Sequence, residues 1–238
     1  MVEGFFVMPH VAVGFLVNLF FAGAAFWAKS VTLSGAFSGV LLGTWIYAFL
    51  GLRGFLVVVG FFILGSFFTR WGYGAKKKGA SAEKRGGRRS YREALANCLV
   101  GAFFASLAFF TGQFLFELAF VASFATALAD TTATELGSLY GRNAFLFFPL
   151  RKVPPGTQGA LSLEGTLAGI LASAGLSFLA VGLALIQKRH IPFVVGGATV
   201  GFLGESFLVH FPVLGHQLRN FLNTLFGALI AMALAWIL

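Results

Sequence analysis

The chain has 238 residues, 58% of them hydrophobic and only 11% charged, with a mean hydropathy of +0.88. A soluble domain carries roughly twice that charged fraction, and a water-soluble globule of this composition would lack the polar surface to cover its apolar atoms. The net charge of +9 raises nucleic acid as a partner, but Lys and Arg lie mostly between apolar runs, which is the pattern of membrane orientation and argues against nucleic acid.

In chain order, the first apolar run, 9–27, follows a stretch in which Glu3 is the only charge before Lys29. Without a basic leading region it reads as a retained helix and not as a cleaved signal peptide. A bilayer core about 30 Å thick takes roughly 20 apolar residues in helix. On that measure further spans are expected at 34–51, 53–70, 92–110, 113–130, 164–186, 191–209 and 218–238. The second and third lie so close that Gly51-Leu52-Arg53-Gly54 must turn the chain in a very tight hairpin, which two glycines permit. The expectation is an all-α, polytopic transmembrane helical bundle of about eight spans, with seven as the alternative count. It forms a single integral membrane domain over 1–238, interrupted by a basic loop at about 71–91 and a motif-bearing loop at about 131–163. Gly35, Gly39 and Gly43, and again Gly197 and Gly201, recur at the four-residue spacing that lets helix backbones approach closely. The single cysteine, Cys98, excludes a disulfide framework and reads as a packing residue.

With the N-terminus outside, 14 of the 17 Lys and Arg fall on the inner side, leaving only Arg53, Lys188 and Arg189 outside. This predicts an outside N-terminus and a cytoplasmic polar face in the cell's inner or plasma membrane. Residues that played no part in that assignment gather on the same side: Glu93, Asn97, Asp130, Glu135, Glu164, Glu205, Asn220 and Asn223. Polar groups at membrane depth are costly, so their convergence marks a site. Arg89, Glu93 and Asn97 fall at i, i+4, i+8, and His216, Asn220 and Asn223 at i, i+4, i+7, one stripe each. Asp130 to Glu135 offers two carboxylates and several hydroxyls, hard oxygen ligands that suit Mg²⁺.

Two loops supply positive charge. The run from Lys76 to Arg89 reads on composition as an orientation determinant touching anionic membrane lipids. The segment Arg151 to Gly159 is stiffened at Pro154-Pro155 and freed at Gly156, so it can aim backbone N–H groups at an anion. Neither of the common nucleotide-binding glycine motifs occurs, nor a His-Glu-x-x-His zinc site. His10, His190, His210 and His216 are scattered near span ends and read as interfacial. Carboxylates, amides and cations at a membrane surface suit phosphoryl transfer, which needs a metal to bridge phosphates and cations to neutralise charge. The acceptor is expected to be a lipid whose tail lies among the helices.

At these residues the sequence resembles the integral membrane phytyl-phosphate kinases of plants and cyanobacteria. That family extends to archaeal and bacterial relatives and to the animal transmembrane protein 19 group. The resemblance rests on Phe61 to Thr69, the Lys76-Lys77-Lys78-Gly79 to Arg88-Arg89 loop, Ala94 to Asn97, Ala129 to Gly137, Lys152 to Ser162 and Gly201 to Ser206. It covers nearly the whole chain. It implies transfer of a phosphate from a nucleoside triphosphate, CTP by preference, to phytyl or a related isoprenyl monophosphate, giving a diphosphate of the tocopherol or prenylquinone routes. It further implies Mg²⁺ as cofactor, an isoprenyl phosphate lipid and a nucleotide as partners, and leaves a homodimer open. By position, Asp130, Glu135 and Glu205 would bind metal, with Asp130, Glu135 and Asn97 catalytic. Lys76, Lys77, Arg88, Arg89, Lys152, Gly156, Thr157 and Asn220 would handle phosphates. Cys98, Gln158 and Glu205 depart from the residues common in the family, and none of these changes removes a charge. The residues alone also admit a CTP-dependent prenol kinase, a lipid cytidylyltransferase or a lipid or anion transporter.

Overall fold

A computed structural model describes residues 3–78, 84–147, 149–211 and 213–238. Helices dominate, as the composition requires. They are α1 (Glu3–Trp27), α2 (Leu33–Arg70), the short α3 (Tyr73–Lys78), α4 (Tyr91–Thr111), α5 (Phe114–Tyr140), α6 (Leu163–Gly182), α7 (Ile191–Leu203), the single turn α8 (Glu205–Leu208) and α9 (His216–Ile237). Seven helical segments, with α7 and α8 counted as one, are long and apolar enough to cross a membrane.

One of the seven crosses twice. Straight, the 38 residues of α2 would run about 57 Å at 1.5 Å per residue, nearly twice a bilayer core. The chain instead reverses at Gly51, whose φ of 59° and ψ of −154° belong to a region open essentially to glycine alone. Tyr47 and Phe55, on either side of the turn, bring their rings to 5.9 Å. The two far ends of α2 then lie together beside residues 28–32 and Arg89. The Thr32 N–H donates to the Arg89 carbonyl at 2.9 Å, and the Arg70 guanidinium donates to the Ala28 carbonyl at 2.8 Å. Residues 33–50 and 52–70 are therefore an antiparallel pair, in agreement with the spans at 34–51 and 53–70.

The helix α5 is the axis of the bundle. Leu118, Phe120, Phe124 and Leu128 have no exposed surface, and 67% of the apolar window of α5 is buried against 11% for α1. The outer face of α1 carries Leu16, Phe20 and Trp27 in the open, where lipid covers them. Small residues set the closest approaches. A Cβ on Gly165 would come within 2.5 Å of the Ala133 carbonyl oxygen of α5, and one on Gly197 within 2.5 Å of the Gly227 carbonyl oxygen of α9. Gly35 and Gly43 are likewise closed in, by the Arg89 carbonyl and by Asn18, whereas Gly39 faces open space. The glycine stripe of α2 is thus a packing surface at two of its three positions.

Two boundaries differ from expectation. The fifth span continues ten residues past 130, through the first third of the segment taken as loop. Its hydroxyls stay in helix by bonding backward: Thr131 donates to the Ala127 carbonyl at 2.9 Å and Ser138 to that of Glu135 at 2.9 Å. The seventh span bends at Gly204, and its last turn is the separate α8. The motif-bearing loop holds a small antiparallel sheet of order β2-β1-β3, made of β1 (Ala144–Leu146), β2 (Arg151–Val153) and β3 (Leu161–Ser162). Ala144, Leu146 and Val153 form a satellite core with Ala160 and Val209. The Phe147 N–H donates to the Ser206 hydroxyl at 2.8 Å, which seats the sheet on α8.

Candidate functional site

The helix ends at one face enclose a polar cavity of about 620 Å³. Four elements supply its walls. The N-terminus of α4 is fixed by a capping box. Ser90 caps the helix, and Glu93 Oε2 accepts from the Ser90 N–H at 2.7 Å and its hydroxyl at 2.5 Å. Below that cap Arg92, Glu93 and Asn97 line the cavity, and Arg88 and Arg89 enter it from the preceding segment. From α5 come Asp130, Thr131, Thr134 and Ser138, from the sheet loop Gly156 to Ser162, and from the α8–α9 region Glu205, Ser206, His216, Gln217 and Asn220.

Electrostatically the cavity brings arginines and carboxylates together. Glu93 is held in the cap and also accepts from Gln217 at 3.4 Å. Glu205 Oε1 lies 3.7 Å from Arg219 Nε and 3.9 Å from His216 Nδ1. Arg89 is fixed from both ends. Its backbone pairs with Ser30 and Thr32 at 3.0 and 2.9 Å, and its guanidinium stacks over the Phe61 ring at 5.1 Å. Gly156 and Gly159 take φ of 83° and 74°, giving the loop its reversals over the cavity.

Of the expected site residues, Asn97, Arg88, Arg89, Asp130, Gly156, Thr157, Glu205 and Asn220 are brought to this cavity. Three others, Glu135, Lys76 and Lys152, do not line it. Glu135 and Lys76 form a buried ion pair at 2.5 Å, 5% and 1% exposed, outside the cavity lining. Lys76 also donates to the carbonyls of Phe68 and Thr69 at 3.2 and 2.7 Å, so the pair ties the end of α2 to α5. Glu135 sits five positions beyond Asp130, about 500° around the helix at 3.6 residues per turn, and so faces away from it. Lys152 is exposed and pairs in register with Phe145, one residue off the Ala144 and Val153 face that turns inward. Period-2 alternation aims it away. The side chain of Lys77 lies outside the described residues. Thr157 reaches the cavity, but its hydroxyl donates to the Pro154 carbonyl at 2.7 Å and closes the turn.

The sequence reading missed Ser138, Ser162, Thr166, Ser206 and Gln217. Ser138 extends the Asp130, Thr134 series by one more four-residue step, a signal that was present in the spacing. Ser206 and Gln217 are placed by the bend at Gly204, which spacing does not reveal. Among the described residues no group of three or more His, Cys, Asp or Glu stands together. A Mg²⁺ ion needs fewer, since it takes one or two carboxylates and completes its shell with water and phosphate. Asp130 from α5 and Glu205 from α8 both line the cavity and fit that demand. Buried polar groups are normally paired. Among the described residues Asn220 Oδ1 and both polar side-chain atoms of Asn223 find no hydrogen-bond partner, so a polar ligand or water belongs beside them.

Comparison with known proteins bears on this geometry. Residues 16–208 match the family described as integral membrane protein DUF92. The chain belongs to that family. An uncharacterized membrane protein of Synechocystis is 40% identical over 203 residues, covering 82% of this chain and 78% of the relative. Protein VTE6, chloroplastic, of Arabidopsis thaliana is 33% identical over 226 residues, covering 90% of this chain and 68% of that protein. An uncharacterized membrane protein of Methanocaldococcus jannaschii is 28% identical over 205 residues, covering 83% of each. No solved structure matches. The resemblance drawn from the motifs therefore holds at the level of the family, and all the cavity elements except α9 fall within the matched residues.

Proposed function

We propose that this DUF92 chain is a membrane-embedded kinase that passes a phosphoryl group from a nucleoside triphosphate, CTP by preference, to phytyl or a related isoprenyl monophosphate. The observation that carries the reading is that Arg88, Arg89 and Arg92 share one polar cavity with Asp130 and Glu205 at the helix ends of an apolar bundle. The bond formed joins an oxygen of the acceptor monophosphate to the γ-phosphorus, and the bond broken releases the nucleoside diphosphate. Such transfer is governed by positioning and charge neutralisation. The arginines hold the phosphates, Arg89 with a guanidinium already oriented by Phe61. Asn97 and Asn220 orient phosphate oxygens from the floor, and the Gly156 turn closes over them. Asp130 and Glu205 would be the residues to hold a Mg²⁺ ion, which would supply neutralisation of phosphate charge. The polar end is the cytoplasmic one, with both termini outside, which gives the site access to soluble nucleotide.

The test uses the detergent-purified protein with Mg²⁺, each nucleoside triphosphate, and phytyl, geranylgeranyl or farnesyl phosphate. Wild type forms the prenyl diphosphate without incorporated cytidine, and Asp130→Asn loses most of that activity while keeping its melting temperature. Cytidine in the product would make the protein a cytidylyltransferase, and activity on free prenol alone would make it a prenol kinase. Absence of transfer with every donor and acceptor pair sinks the reading, and an Asp130→Asn enzyme equal to wild type removes that carboxylate from it.

A further inference from the structure

Beside the polar cavity lies a second one of different character. It is a cleft of about 330 Å³ between α1, both halves of α2 and α4, lined almost wholly by apolar side chains and glycines. Two residues, Arg89 and Glu93, line both spaces. Neighbours in sequence divide between them: Asn97 faces the polar cavity, while Ala94 and Cys98 face the cleft. The N-terminal turns of α4 are thus a wall with phosphate-type chemistry on one side and hydrocarbon-type chemistry on the other, and the Arg89 guanidinium, over Phe61, stands where they meet. From Gly35 at that end to Ile46 deep in the cleft, α2 advances about 16 Å at 1.5 Å per residue, roughly half the bilayer core.

We infer that this cleft holds the isoprenoid tail of the acceptor lipid, with its phosphate at Arg89, and that Gly39 sets how long a tail is accepted. The inference rests on the kinase reading above and adds the tail site and its length gauge. Continuity with the polar cavity decides the occupant. A bulk lipid needs only an apolar surface, whereas this cleft ends on a cation fixed by Ser30, Thr32 and Phe61. Gly39 lines the cleft and is the glycine of its stripe whose added Cβ meets nothing within 4 Å. Its missing side chain is therefore not needed for helix contact, and its effect is to leave room.

The test compares wild type with Gly39→Phe and Gly39→Leu, since a larger residue here fills the cleft without a backbone clash and suits a helix better than glycine. Expected is a fall of roughly ten-fold or more in kcat/KM for geranylgeranyl phosphate, with geranyl phosphate and the nucleotide KM unchanged. Retained turnover of the short acceptor shows that the variants fold. In parallel, wild type is photolysed with a geranylgeranyl phosphate carrying a diazirine at its far end, and adducts are expected on α1 and 33–50. An unchanged chain-length profile, or adducts confined to residues outside the cleft, overturns the inference while transfer by wild type leaves the kinase reading standing. Adducts in the cleft of a protein that transfers no phosphate would keep the tail site and sink the kinase reading.

Discussion

The Lys76–Glu135 pair ties the end of α2 to α5, and a structural role for its carboxylate can be tested by stability and turnover together. Glu135→Gln keeps the shape of the side chain but removes the carboxylate charge from beside a buried ammonium, 1% exposed, that also donates to the carbonyls of Phe68 and Thr69. Breaking a buried pair from one side costs about 3–5 kcal/mol. For a chain of this size each kcal/mol moves the melting temperature by about 2–4 °C, so the shift expected is roughly 6–20 °C downward. Replacing both partners by apolar residues of similar volume removes the stranded charge and is often neutral, so Lys76→Met/Glu135→Leu should recover most of that loss. The assay is thermal unfolding in detergent, followed by intrinsic tryptophan fluorescence, alongside kinase turnover below the transition. A Glu135→Gln protein that melts with wild type yet has lost turnover would refute the reasoning, because the carboxylate would then be acting on substrate.

A triphosphate at a hundred-fold over its Kd should stabilise the folded protein by about 2.7 kcal/mol. Arg88→Ala should lose that shift, whereas Lys152→Ala, facing off the sheet, should keep it; thermal melts with and without nucleotide check both. Gly197→Leu should destabilise by about 1–3 kcal/mol or more through its clash with Gly227 and Ala231, read as a lowered melting temperature. Gly51→Ala should cost about 1–3 kcal/mol because of its backbone angles, measurable in the same way. Ser90→Ala should cost about 1 kcal/mol through loss of the α4 cap, and equal stability would show the capping box to be idle.

Span positions were legible because lipid imposes a length and a composition on every crossing. The hairpin at Gly51 was legible for the same reason, since two apolar runs met with nothing but glycines, Leu52 and Arg53 between them. What misled at 130 was polarity: Thr131, Thr134 and Ser138 look like loop, yet hydroxyls that bond back to carbonyls are at home in a membrane helix. The pairing of Glu135 with Lys76 was not legible, because sequence records that a charge is there and not that its partner is 59 residues away. The outward turn of Lys152 was not legible because a loop reading has no faces, and a strand has two. Asp130 and Asn220 reach the cavity on helical stripes that spacing lays out, whereas Arg89 reaches it from the extended segment before the Ser90 cap.

The turn at Gly51 carries a consequence for the whole topology. Seven apolar helices each crossing once would put the two ends of the chain on opposite sides of the bilayer. Because 33–70 returns to the side it left, it contributes an even number of crossings, and its presence or absence leaves the parity of everything after it unchanged. The handedness of the cavity with respect to the membrane is therefore set by α1 and by the helices from α4 onward. A hairpin that entered the bilayer late would still find every other helix pointing the right way.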